Sequence, residues 1–308
     1  MEHEREKAMT KRAVIIGVND YSVQGYRSLR FCVPDAASVY HLLRDAFLFD
    51  PQDLYYLVDA NATSSRIRQT LRYVLTQSQA GDVVCFYYSG HGARRPHPSN
   101  PKQMFETIIP YSGQHISDHE IFAAADSLQP SFVNFTIILD SCHSGGMHDE
   151  SEKAELVRSP AFSPELLQQL TQCTTLFPCG ICLPPKDRQI LANNITAVSA
   201  KNTGIVVEED PNRRLVKQAK ATMIAASTAA EYAREHTSVG HGLLTKSLLD
   251  LVNASNFQID HRSLIGELAS RVSTMMTQHF PGKTQSPQLR GQENRMEESF
   301  LVGWQDSR

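Results

Sequence analysis

The sequence predicts an α/β fold, a mostly parallel sheet with helices on both faces. Two observations carry this. Short, β-branched apolar runs alternate along the chain with stretches whose apolar residues recur at helical spacing. Strands separated by amphipathic helices pair in parallel, because each helix carries the chain back over the sheet. Composition agrees: 308 residues, 41% hydrophobic and 20% charged, suit a soluble globular chain able to bury a proper core.

The elements follow in order. AVIIGV (13–18) is the first strand. Val39, Leu42, Leu43 and Phe47 then fall on one helical face, with Asp35 placed to cap that helix. LYYLV (54–58) is the second strand, followed by a helix with Ile67, Leu71, Val74 and Leu75 in register and Thr63 or Ser64 as cap. VVCFYY (83–88) and TIILD (136–140) are the third and fourth strands, with a short helix near 119–128 between them. TMIAAS (222–227) is a later strand, helices are expected near 241–254 and 262–278, and ESFLV (298–302) is a candidate last strand. From about Met147 to Lys220 the chain is polar and breaks the rhythm, with a weak helix near 164–170 and a short strand near 195–198. So long an interval is functional, unstructured or an inserted subdomain.

Charge and cysteine usage narrow the function. A net charge of −3 gives no reason to expect nucleic acid or an anionic membrane surface. No apolar run approaches the roughly 20 residues needed to span a bilayer. MEHEREKAMTKR lacks the apolar core of a secretory signal, and six cysteines in a chain this long are no disulfide framework. A reducing, cytoplasmic setting is the expectation.

The chemistry lies at two strand ends. The third strand runs into Ser89-Gly90-His91-Gly92 and the fourth into Ser141-Cys142-His143, and His91 precedes Cys142 by 51 residues. In an open parallel sheet, reactive groups gather beyond the carboxyl ends of the strands, so neighbouring third and fourth strands deliver both side chains to one rim. A thiol is mostly protonated at neutral pH. An adjacent imidazole raises its thiolate fraction and later protonates the leaving amine. The flanking glycines let a substrate backbone approach, and the amides of Gly92 and Cys142 are candidates for holding the oxyanion.

With YYSGHG (87–92) and DSCHSGG (140–146), the chain resembles the caspase-like cysteine peptidases of clan CD, nearer to metacaspases and bacterial orthocaspases than to animal caspases. LRFCVPDA (29–36), ETIIPY (106–111), MIAASTAAEYARE (223–235) and GHGLLTKSLL (240–249) add context, and the resemblance covers most of residues 13–303 outside the polar stretch. It implies a caspase-like three-layer sandwich around a six-stranded, mainly parallel sheet whose last strand is antiparallel. It also implies a catalytic dyad of His91 and Cys142 in a cysteine endopeptidase.

The resemblance further places acidic residues on the wall of the specificity pocket, here Asp140 and Asp35. Two carboxylates facing a pocket favour lysine or arginine before the scissile bond. The plain alternatives are a helix cap for Asp35 and a strand-end turn for Asp140. Ser227 and Glu231 are further candidates for the substrate cleft, with solvated surface as the alternative for Glu231. The domain plan is an N-terminal extension (1–12), a half carrying the dyad (13–146), a linker or insertion (147–220) and a second half (221–308). Related enzymes are cut in that linker, where Lys153, Arg158, Arg188, Arg213, Arg214, Lys217 and Lys220 are candidate processing sites for the enzyme itself or an activating protease or regulator. A monomer is expected.

Many metacaspases bind calcium through clustered aspartates. Here only Asp118 and Asp149, with Glu106, are available, which is thin for an ion that takes six to eight ligands, so no cofactor is expected. Six of 12 histidines lie between residues 91 and 148, but most sit in predicted loops and read as solvated. Cys173, Cys179 and Cys182 offer one C-x-x-C without a second pair and read as ordinary loop thiols. The rival readings are an inactive caspase-like scaffold that binds peptides or regulators, and a metal-dependent hydrolase.

Overall fold

The computed structural model describes residues 9–97, 100–128, 132–141, 220–253 and 258–303. Six strands form the main sheet in the order β2 (Leu54–Val58), β1 (Lys11–Gly17), β3 (Val83–Ser89), β7 (Asn134–Asp140), β8 (Thr222–Ala225), β11 (Gln288–Arg290). All neighbours run parallel except β8 and β11, which are antiparallel. A hairpin of β4 (Gly92–His97) and β5 (Asn100–Ile108), extended by β6 (Ile116–Ser117), stands apart from this sheet, as does the small hairpin β9 (Glu235–His236) and β10 (His241–Gly242).

The period-2 geometry of the strands divides the core into two layers. Val14, Ile16, Phe86, Tyr88 and Ile137 face helices α2 (Ser64–Gln77) and α3 (Asp118–Leu128). Their strand neighbours Ala13, Ile15, Cys85, Tyr87 and Ile138 face α1 (Cys32–Asp45), α4 (Leu243–Asn253) and α5 (His261–His279). Every residue of β3 and β7 is buried, which is why these strands read as continuous apolar runs. The short helix α6 (Glu293–Met296) closes the described chain. No helix among the described residues is long and apolar enough to cross a membrane.

Two expectations are corrected, and one hairpin was not foreseen. Helix α1 begins at Cys32, so Asp35 lies inside its first turn and caps nothing. The amides before and at its start are held instead by distant side chains: Arg30 and Phe31 N–H donate to Glu235, and Cys32 and Val33 N–H donate to Asn19 Oδ1. Starting the helix four residues earlier turns the Asp35 carboxylate inward. ESFLV (298–302) is not a strand. Phe300 and Leu301 are buried in a turn, and Asn134 Nδ2 donates to the carbonyls of Ser299 and Val302, while β11 fills the last place in the sheet. The β4–β5 hairpin has no counterpart in the sequence reading, because Gly-Ala-Arg-Arg-Pro-His carries none of the apolar alternation of a half-buried strand. Thr63 does cap α2, accepting from Arg66 N–H at 3.3 Å. The weak helix near 164–170 and the strand near 195–198 fall outside the described residues.

Candidate active site

Strands β3 and β7 end together, with Ser89 opposite Asp140. Gly90 follows, and only glycine fits: a Cβ there would lie 2.4 Å from the hydroxyl oxygens of both Tyr21 and Tyr88. These hydroxyls fix the backbone of His91. The His91 amide donates to Tyr21 Oη (2.6 Å). Tyr88 Oη lies 2.7 Å from the carbonyls of both His91 and Ile109, which accept only, so its single proton is directed there. The 3.0 Å contact between the two hydroxyls is therefore donated by Tyr21.

The ring of His91 is oriented as firmly. Its Nε2 sits 2.6 Å from the carbonyl of Arg27. A carbonyl cannot donate, so Nε2 carries the proton and Nδ1 is left as the basic nitrogen. The Tyr21 ring packs 4.5 Å from the imidazole, centroid to centroid. Burial lowers the His91 pKa below its ordinary value; the Arg27 carbonyl opposes this and the Arg27 charge reinforces it. The lowered pKa favours the neutral ring. The loop presenting Arg27 is anchored at Asn19 and Asp20, whose amides donate to Asp59 Oδ1 (2.7 and 2.9 Å).

Cys142 lies outside the described residues; Ser141, the residue before it, is buried. The two described cysteines offer no rival nucleophile. Cys32 and Cys85 are both buried, and burial pushes their thiols up, Cys85 to about 12.

Asp35 and Asp140 come together although 105 residues apart in the chain. Asp35 is 1% exposed and accepts from Ser89 Oγ (3.0 Å), Gly242 N–H (3.1 Å) and His241 Nδ1 (2.7 Å). Asp140 is 6% exposed and accepts from Thr245 N–H (3.0 Å) and Thr245 Oγ1 (2.7 Å). Gly242 separates them: its amide serves Asp35, and a Cβ on it would lie 2.4 Å from Asp140 Oδ2. Burial pushes Asp140 up to about 7, the Asp35 charge adds to this, and Thr245 opposes it. Asp35 is raised by burial against the opposing bonds from His241, Gly242 and Ser89. Glu235, half-buried, is a third acid here, also pushed up to about 7, by removal of its carboxylate from water and then by Asp35, with the Phe31 amide opposing. Among the described residues no lysine or arginine forms an ion pair with Asp35 or Asp140; His241 is the one salt-bridge partner, on Asp35.

The other predicted residues lie as follows. Ser227 is fully buried, and Glu231 accepts from Thr228 N–H and from Ser286 N–H and Oγ, so its carboxylate ties the 227–231 turn to the segment before β11. Gly92 opens β4 and is buried. Asp118 begins α3, 3.9 Å from the Arg290 guanidinium, which itself makes two 2.7 Å bonds to Glu106. Lys220 donates through Nζ to the carbonyl of Asp126. Asp149, Lys153, Arg158, Arg188, Arg213, Arg214 and Lys217 lie outside the described residues. Sequence reasoning missed Tyr21, the Arg27 carbonyl, Glu235, His241, Gly242 and Thr245. One signal was available, since Gly240-His241-Gly242 repeats the pattern of residues 90–92 directly before a helix.

A mainly parallel six-stranded sheet with a fixed histidine and buried acids on one rim defines the class as caspase-like. The comparisons with known proteins agree. The family model described as Caspase domain matches residues 10–297, so the chain belongs to the caspase-domain family. Metacaspase-4 of Arabidopsis thaliana is 33% identical over 153 residues, 47% of this chain and 36% of that protein. Metacaspase-1 of Schizosaccharomyces pombe is 30% identical over 153 residues, 45% and 35% of the two chains. The match thus spans little more than a third of these relatives' length. Among solved structures, caspase-1 of Spodoptera frugiperda superposes with a TM-score of 0.52 at 11% identity, covering 92% of this chain and 86% of that one. A Geobacter sulfurreducens protein gives 0.60 at 17% identity, covering 96% and 99%. These likenesses share the fold.

Proposed function

We propose that the protein is a cysteine endopeptidase that cuts peptide bonds after arginine or lysine, with His91 and Cys142 as the dyad. The supporting observation is the shared rim. Ser89 stands opposite Asp140 at the ends of β3 and β7, His91 and Cys142 each follow two residues later in the sequence, and Asp35 meets Ser89 at the same place. His91 Nδ1 takes the thiol proton and the thiolate attacks the scissile carbonyl carbon. The amides of Gly92 and Cys142 hold the oxyanion as the tetrahedral intermediate forms. His91 then protonates the leaving amine, giving a thioester. Water, deprotonated by the same imidazole, hydrolyses the thioester and returns the thiol.

The substrate's cation is matched to Asp35 and Asp140, two buried acids in need of positive charge. Calcium has no part in this reading. Of the acids considered for it, Asp118, Asp149 and Glu106, two, Glu106 and Asp118, converge on Arg290, so a fixed cation of the chain already stands where a divalent ion would need open oxygen ligands. Cleavage within 147–220, by the enzyme itself or by a partner protease, accompanies activation.

A fluorogenic panel with Arg, Lys or Asp before the scissile bond, run on wild type, Cys142→Ala and His91→Ala with a calcium chelator present, tests all of this. Wild type is expected to cut after Arg and Lys. Each variant should lose cleavage, and the double variant should be no worse than either. Intact masses should show fragments ending in Arg or Lys in wild type only. Undiminished turnover by Cys142→Ala contradicts the mechanism and leaves a peptide-binding scaffold as the better account.

A further inference from the structure

Asp140 meets helix α4 end-on. Its Oδ2 accepts from the amide and the hydroxyl of Thr245, in the first turn of α4, and among the described residues its Oδ1 accepts no hydrogen bond. Thr245 Oγ1 in turn lies 2.6 Å from Tyr87 Oη. A hydroxyl has one proton to give. Thr245 directs it at the carboxylate, so Tyr87 must donate to Thr245. The result is a one-way chain from Tyr87 through Thr245 to Asp140, wholly buried: Tyr87 is 0% exposed and Thr245 1%.

Such a chain has a chemical consequence beyond packing. An ionised carboxylate only accepts, so donors aimed at it favour the charged form, and a donor that itself accepts a hydrogen bond is the stronger for it. The start of α4 adds its partial positive charge. Burial and the nearby carboxylates hold the Tyr87 phenol far above its ordinary value, so it remains a donor throughout the neutral range. These donors occupy Oδ2 and leave Oδ1.

We propose that Thr245, backed by Tyr87, is a positioning residue for substrate selection: its donors favour the charged form of Asp140 and turn the carboxylate so that Oδ1 receives the cationic side chain of the substrate. This rests on the basic-residue reading above. The chemistry it recognises is an ammonium or guanidinium group, and the residue responsible comes from the second half of the chain, 105 residues after the acid it serves. A purely structural role for the same threonine is a helix-end contact, which would influence every substrate alike.

The test compares two peptides that differ only in arginine or its uncharged isostere citrulline before the scissile bond, on wild type, Thr245→Val, Thr245→Ser and Tyr87→Phe, with thermal melting as a control. Hydrogen bonds to charged groups are worth enough that Thr245→Val should lower kcat/KM for the arginine peptide roughly ten- to hundredfold. The loss should fall mainly on KM, and the citrulline peptide should change by less than about threefold. Thr245→Ser, which keeps the hydroxyl, should restore the arginine preference, and Tyr87→Phe should lose less than Thr245→Val in the same direction. Equal losses for both peptides in Thr245→Val overturn the proposal. If that variant fails to fold, an unchanged Arg-to-citrulline ratio in Tyr87→Phe overturns it. A wild type indifferent to the charge refutes the basic-residue reading first and this inference with it.

Discussion

Two groups of acids among the described residues differ in what answers their charge. Glu106 on β5 and Asp118 on α3 are met by Arg290 on β11, which grips Glu106 with two 2.7 Å bonds and stands 3.9 Å from Asp118. Asp35, Asp140 and Glu235 are met by backbone amides, two hydroxyls and one imidazole. The first group is a brace between the β4–β5 hairpin side and the last strand of the sheet. Among the described residues the second is met by no lysine or arginine ion pair, and His241 on Asp35 is its one salt-bridge partner. Asp140 and Glu235 are pushed up to about 7 as a result. Asp118 shares that value, through burial and the charge of Glu106, because the bidentate guanidinium favours its partner over it. Buried acids without a fixed cation cost stability, and such costs concentrate at functional sites. The comparison makes Arg290 part of the architecture, and it is in keeping with the recognition role proposed for the Asp35–Asp140 pair.

Breaking the brace should have the largest effect on the fold. Arg290→Met leaves two buried acids facing each other and should cost on the order of 3 kcal/mol, read as a fall in the denaturation midpoint. The preference for arginine over citrulline in the folded fraction should stay as in wild type. A variant that keeps its stability but loses that preference would reverse the assignment of the two clusters.

Relieving the unbalanced pair should act the other way. The folded pKa of Asp140 is raised to about 7, above the ordinary carboxylate value of the unfolded chain. Its ionisation therefore weighs against folding as pH rises through 7 and ceases to matter in acid, where both states are protonated. Asp140→Asn should stabilise the protein by about 1–2 kcal/mol at pH 8, with the gain gone near pH 4, while activity falls. Melting curves at the two pH values decide this. A variant less stable at pH 8 would mean that Asp140 is an ordinary structural carboxylate.

Much of this was legible in the sequence, and the reasons are physical. The strands β1, β2, β3 and β7 announce themselves because burial on both faces leaves an unbroken apolar run. His91 and the two aspartates stand at strand or helix ends, where a polar residue after an apolar run is conspicuous. The support around them was not legible. Tyr21, Glu235 and Thr245 act across 70 to 205 residues of chain, and nothing local marks a tyrosine that holds an amide or a glutamate that holds a distant helix start. Asp35 was assigned two roles by sequence, helix cap or pocket wall. The four-residue earlier start of α1 removes the first, because Pro34 is accommodated in the first helical turn, where its missing N–H is no loss.

The account stands on one claim, that Asp140 carries the charge a substrate cation answers. The most direct measurement crosses the two changes: wild type and Asp140→Asn, each with the arginine peptide and with its citrulline isostere. Losing one partner of a desolvated charged pair costs about 2–5 kcal/mol, so Asp140→Asn should lower kcat/KM for arginine by roughly thirtyfold to several thousandfold. The citrulline peptide should be cut at nearly the same rate by both proteins, since the variant and the isostere each remove the same interaction. A loss of equal size on both peptides would contradict the claim and take Asp140 out of the pocket.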